Sequence, residues 1–96
     1  MLESAFQKKV LNYLKYKVGG HWINIHGSSY QTSGEPDVVG CYQGKFYAFE
    51  LKRPDGKGVV SARQRLKLSK IMQEGGVAMV VDNMKQLEEL FGQEDT

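Results

Sequence analysis

Asp37, Glu50 and Lys52 fall on either side of one short turn signal, Gln43-Gly44, in the stretch Gly34 to Lys52. Before the turn, Asp37 to Tyr42 alternates. After it, Lys45 to Lys52 is rich in aromatic and apolar residues, so the two runs predict a hairpin. A two-residue loop sets Tyr42 opposite Lys45 and, further up the ladder, Asp37 directly opposite Glu50. Opposed side chains share a face with β-carbons about 4.5–5.5 Å apart, and Lys52 points to that face two residues beyond Glu50. Facing carboxylates repel, so a hairpin that keeps them needs a compensating cation. Hard carboxylate oxygens suit Mg²⁺ or Mn²⁺. A three-residue loop with a bulge at Gly44 is the competing register, and it would turn one carboxylate to the other face.

The charge distribution sharpens this chemistry. Residues 45–70 hold eight Lys and Arg against Glu50 and Asp55, a balance of +6, while residues 1–44 carry +1 and residues 71–96 carry −5. A basic block beside a carboxylate pair suits a polyanion, because Lys and Arg that neutralise phosphates supply much of nucleic-acid affinity. A solvated basic face is the plainer reading of the same block. Phosphodiester hydrolysis would use the residues as follows: Asp37 and Glu50 bind the metal, and Lys52 orients the attacking water, takes its proton, or stabilises the charged transition state. Arg53, Lys57, Arg63, Lys67 and Lys70 are the candidate DNA contacts. The last three form a stripe along the second helix.

The succession Glu3 on a first helix, Gly34-Glu35-Pro36-Asp37, Glu50-Leu51-Lys52 and Gln64 on a second helix resembles the PD-(D/E)XK nuclease superfamily. Its order and compactness are similar to the virus-type replication-repair nuclease (VRR-NUC) branch in its small stand-alone form. The resemblance runs from Glu3 to about Phe91. It implies a restriction-endonuclease-like core and a metal set of Glu3, Asp37, Glu50 and the Leu51 carbonyl, with Gln64 near the active site. Read from the residues alone, Glu3 lies within the apolar stripe of its helix, where a carboxylate needs a cation or donors, although an acid in a first turn also suits the helix dipole. Gln64 likewise has two readings, since Ser61-Ala62-Arg63-Gln64 matches a capping box.

The elements that must position these residues follow from periodicity. Leu2 to Val18 reads as an amphipathic helix with Phe6, Val10, Tyr13 and Leu14 on its apolar side, stopped by Gly19-Gly20. Trp22 to His26 reads as a strand with Ile23 and Ile25 on one face. Gly27 to Ser33 is a polar loop bordering the site, in which Tyr30 either stacks on a base or sugar or only pins the loop. Isolated His21 and His26 form no zinc site. Arg53 to Gly58 is a loop, and Ser61 to Glu74 is a helix that packs Leu68, Ile71 and Met72 on the sheet. Val77 to Val81 is an apolar strand, Met84 to Phe91 a last helix, and Gln93 to Thr96 a frayed tail. The order α-β-β-β-α-β-α, with a helical crossover before the last strand, predicts an α/β fold with a mixed central sheet flanked by helices.

Ninety-six residues make one domain, residues 1–96. The chain has no apolar run near the ~20 residues that span a bilayer, so no membrane partner is expected. Cys41, the single cysteine, is expected to face the hairpin core, and its solitude suits a reducing, cytoplasmic setting. The favoured function is a metal-dependent DNA endonuclease, selective for branched, Holliday-junction-like DNA and acting as a homodimer whose two-fold axis matches two symmetric nicks. Apolar Ala62 and Leu66 on the outer side of the second helix, with Met84, Leu87, Leu90 and Phe91 on the last, would supply the dimer surface. The alternative is a catalytically inactive or RNA-directed nucleic-acid-binding module of the same fold.

Overall fold

The computed structural model describes residues 3–25, 34–56 and 58–95, and of Glu3 the backbone only. Helix α1 (Glu3–Tyr13) continues into a π-helical turn (Leu14–Val18), and β1 (His21–Asn24), β2 (Val38–Tyr42) and β3 (Lys45–Leu51) follow. Then come α2 (Ala62–Gln73), β4 (Val77–Val81) and α3 (Met84–Phe91). The strands form one sheet in the order β1-β2-β3-β4. Both β1/β2 and β2/β3 are antiparallel, while β3/β4 is parallel, so the sheet is mixed and α2 is the crossover between its parallel members. Among the described residues no helix is long and apolar enough to cross a membrane.

The hairpin takes the two-residue loop. Tyr42 pairs with Lys45 and Val38 with Phe49, and both loop residues have positive φ, 50° at Gln43 and 79° at Gly44. That combination matches the twist of the flanking strands, and glycine is the residue that adopts it at no steric cost.

Alternation along β3 divides the sheet into two faces. Tyr47, Phe49 and Leu51 join Phe6, Val10, Tyr13, Leu14, Trp22, Val38, Val81 and Leu87 in the main core under α1 and α3. Ala48, on the other face, packs with Leu68 and Ala78, flanked by Val39, Ile71 and Val80, beneath α2. The second layer is thin. Leu68 is the one buried residue of α2, and Met72, expected on the sheet, is 52% exposed. Because α2 covers β3 and β4, side chains of that face further out stay in solvent. Cys41 is therefore exposed rather than in the core, and Ile23, paired with Val39 on the same face, is 50% exposed. Trp22 is the inward residue of β1, stacking near Phe49 at 6.0 Å and meeting Phe91 edge-on at 6.0 Å. The edge strand is read inward from its indole rather than from Ile23 and Ile25, since the indole has the larger apolar area to bury.

Two expectations for the C-terminal part change. Leu87 is fully buried, and Met84 and Phe91 pack against the core, so α3 spends most of its apolar surface inside the monomer and leaves only Leu90 well exposed. Gln93 to Asp95 after it are tied down instead of frayed, and Thr96 lies outside the described residues. Tyr13 Oη donates to the Gln93 carbonyl at 2.5 Å, and Asp95 N–H donates to Glu88 Oε2 at 2.7 Å.

Burial raises the Tyr13 phenol above its ordinary pKa, and the nearby carboxylates of Glu88 and Asp95 add to the shift. A raised folded-state value means the contribution is complete below the unfolded pKa of about 10 and is lost as pH rises through the folded value. Urea titrations should show stability falling above about pH 10 in the wild type, and falling less in Tyr13→Phe. Equal alkaline losses would remove Tyr13 as the cause. At Gly40, an added β-carbon would sit 2.2 Å from Trp22 Cε3 and 2.4 Å from the His21 carbonyl. Gly40→Ala should therefore cost about 1–3 kcal/mol, or on the order of 4–8 °C in Tm per kcal/mol, measured by thermal denaturation.

Candidate functional site

Pro36 ends the β2 side of the hairpin, since it has no N–H to give the ladder. The last ladder pair is Val38–Phe49. Asp37 N–H then donates to the Phe49 carbonyl at 3.1 Å, and the Asp37 carbonyl accepts from Ile25 N–H at 2.9 Å. Asp37 therefore leaves the regular ladder one position before it would pair with Glu50, which corrects the expectation of a direct cross-strand pair. Its carboxylate reaches β3 by another route, as Oδ2 accepts from Leu51 N–H at 2.7 Å. The side chain thus replaces the backbone acceptor that a continuing β2 would have supplied.

The effect is to bring Asp37 to the Glu50-Leu51-Lys52 run. Asp37 is 4% exposed and Glu50 2%, and Lys52 Nζ lies 3.8 Å from Glu50 Oε2. Carboxylates are almost never this buried unless a cation or donors compensate them. Lys52 and Leu51 N–H supply part of that compensation. Lys52 N–H donates to the Val81 carbonyl at 2.9 Å, so the parallel neighbour β4 holds the backbone from which the lysine projects. A divalent cation with a preference for oxygen fits this donor set in type, with the Glu50 carboxylate on β3 and that of Asp37 held on the Leu51 backbone beside it. Among the described residues no group of three His, Cys, Asp or Glu side chains converges as a metal cage. Glu3 opens α1, whose Gln7 donates to Asn24 Oδ1 at 3.1 Å. Asn24 pairs with Val38, so the start of α1 lies toward the Asp37 end of the sheet.

The flanking candidates are placed less uniformly. Gln64 completes the capping box: its Oε1 accepts from Ser61 N–H at 2.9 Å, and its own N–H donates to Ser61 Oγ at 3.1 Å. The helix start uses this side chain, which is the structural one of its two readings. Lys67 Nζ donates to Glu35 Oε1 at 2.7 Å, and Arg53 Nη2 donates to Asp55 Oδ2 at 2.6 Å. Both cations therefore meet acids of their own chain, while Arg63 and Lys70 are exposed. Lys57, His26, Tyr30 and the loop 27–33 lie outside the described residues.

Glu35 is a residue that periodicity had no means of assigning. Its bond to Lys67, and the seat of Gly34 against Arg63, where a β-carbon would come within 2.5 Å of Arg63 Cγ, fasten the segment before Asp37 onto α2. The signal available was local: an acid beside Pro36-Asp37 and a lysine on the helix that must cross over it.

These bonds separate two variants of Asp37. Asp37→Asn keeps an oxygen for Leu51 N–H and removes a buried negative charge near Glu50, so its stability should match or exceed wild type in metal-free buffer. Asp37→Ala strands the Leu51 donor and should lose about 1–3 kcal/mol. Urea denaturation in EDTA checks the order, and an alanine variant as stable as the asparagine variant would break the assignment. Comparison of the chain with protein-family models, curated proteins and solved structures gives no match.

Proposed function

We propose that the chain is a metal-dependent DNA endonuclease of the VRR-NUC type, with a restriction-endonuclease-like core, that acts on branched DNA as a homodimer. The observation that carries the reading is the convergence at the end of β3. The buried Asp37 carboxylate is held on the backbone of Leu51, between buried Glu50 and Lys52. A structural role alone does not call for two carboxylates and a lysine at one strand end, because buried charge is costly and apolar residues of similar size fill such sites at no loss.

Asp37 and Glu50 would hold Mg²⁺ or Mn²⁺, joined by the Leu51 carbonyl and Glu3. The ion, when bound, supplies a polarised phosphate oxygen and a bound water of lowered pKa. Lys52, on the same side of β3 as Glu50, orients the attacking water or balances the charge that grows on the phosphate. Leu51 N–H fixes the Asp37 carboxylate in one orientation, which removes a rotational cost from assembling the site. The basic residues of α2, Arg63 and Lys70 foremost, flank the same side of the sheet and would meet phosphates. Lys67 would do so by exchanging its bond with Glu35. For a two-fold contact, α2 offers exposed Leu66 and Met72, Phe46 of β3 lies half exposed beside the C-terminal end of α2, and the uncovered sheet further out offers Ile23.

Incubation with a fixed four-way junction and with linear duplex, with and without Mg²⁺ or Mn²⁺, tests the reading. Cleavage should require the metal and favour the junction. Asp37→Asn and Glu50→Gln should abolish it and weaken Mn²⁺ binding in calorimetry. Lys52→Ala should lower the rate by about 10²–10⁴-fold with DNA affinity retained. Metal affinity unchanged in both carboxylate variants would sink the metal assignment, and sedimentation as a monomer at micromolar concentration would sink the dimer.

A further inference from the structure

The outer side of α1 and its π-helical turn carries a second basic surface, on the other side of the sheet from Asp37 and Glu50. Residues 8–17 contain four lysines and no acid, a local excess hidden in the near-neutral total of the first 44 residues. The apolar members of this run turn inward: Val10, Tyr13 and Leu14 are buried, and Leu11 packs against the core. Lys8, Lys9, Asn12, Tyr16 and Lys17 are left exposed along a groove of about 520 Å³, with Asp95 as the one acid among its described lining residues.

Tyr16 is 80% exposed. It stands within the π-helical turn, a geometry that is rare and concentrates at functional sites. The turn is also fixed in place. Gly19 N–H closes it on the Leu14 carbonyl at 2.9 Å, and buried Trp22 donates from Nε1 to the Gly19 carbonyl at 2.6 Å. The phenol ring is thus presented from an anchored backbone, amid ammonium groups, and contributes little to the core. Among the described residues of α1 and its π-helical turn no other large apolar residue is exposed, so these residues offer a lipid surface no apolar face of the kind interfacial helices need.

We propose that this face binds a single-stranded segment of nucleic acid, with a base stacked on Tyr16 and neighbouring phosphates on Lys8, Lys9 and Lys17. An exposed ring tolerates any base and needs it unpaired, and lysines around it follow the backbone without reading sequence. A duplex offers the ring no open base face, so the surface distinguishes unpaired from paired strands. The site goes beyond the proposed nuclease reading and does not depend on it, because binding here needs neither the metal nor the carboxylates.

Anisotropy titrations in EDTA, with fluorescein-labelled single strands of DNA and of RNA, a blunt duplex, and vesicles of anionic phospholipid, test the proposal. Tyr16→Ala should weaken single-strand binding at least about fivefold, the low end for loss of one stacked base, with duplex binding unchanged, and Tyr16→Phe should restore it. Lys8→Ala with Lys9→Ala should lower the salt slope by about 0.7 per lysine. DNA and RNA arms that respond alike assign the site to any single strand; a response in one arm alone assigns it to that polymer. Single-strand affinity unmoved by Tyr16→Ala, equal losses in Tyr16→Ala and Tyr16→Phe, or lysine effects confined to the vesicles would each overturn it. No metal-dependent cleavage by the wild-type protein, with this binding intact, would count against the nuclease reading alone.

Discussion

One hydrogen bond organises the end of the sheet on which the candidate chemistry stands. Leu51 N–H would lack its ladder partner where Pro36 stops β2, and the Asp37 carboxylate accepts from it at 2.7 Å. A buried donor left unmet costs about 1–3 kcal/mol, so the strand end requires an acceptor there. An acid that meets the need also places negative charge beside Glu50. Fold and candidate chemistry therefore draw on the same carboxylate. The stabilisation given by the Leu51 bond offsets part of the repulsion from Glu50, and the ammonium of Lys52 offsets more.

The two sides of the sheet are unequal for a related reason. α1 and α3 cover one face with a continuous aromatic and aliphatic core, in which Trp22, Tyr47, Phe49 and Phe91 meet one another. α2 covers the other with little beyond Leu68 and Ile71. That thin cover leaves the Lys52 side chain 15% exposed beside buried Glu50, while the full core behind β3 packs the strand's other face. Charged side chains on rigid elements are held more closely than those on loops. The ties of Gly34 and Glu35 to α2 add a second anchor to the short segment that delivers Asp37.

The basic residues are likewise divided between the two sides. Those of α2 flank the carboxylates, and two of the candidates, Lys67 and Arg53, are held by acids of the chain. Those of α1 cluster around an exposed tyrosine on the far side. Under the two proposals, these separated cationic faces would engage different strands or arms of one nucleic acid.

Much of this was determined by the sequence itself. The hairpin is legible in the Gln43-Gly44 turn, although its two registers were separated only by the fold, where both loop residues take positive φ, and the boundaries of β4 and α3 follow from Val77 to Val81 and from the Asn83 cap. The helix-period stripe of Phe6, Val10, Tyr13 and Leu14 is the buried side of α1. These are local matters, decided by turn chemistry, capping and periodicity. Tertiary structure decided the rest. Cys41 and Ile23 have the pattern of buried residues, but α2 packs on β3 and β4 and does not reach over them, and no local signal reports the reach of a helix from elsewhere in the chain. Met72, on α2 itself, stays half exposed because only Leu68 of that helix is buried by the sheet. The apolar side of α3 looked surplus until Trp22 and Tyr47 gave Phe91 a place to pack. Asp37 and Glu50 were legible as partners from the register, yet the bond that places Asp37 runs to Leu51, because Pro36 ends the ladder one pair early and the free backbone donor takes the nearest carboxylate.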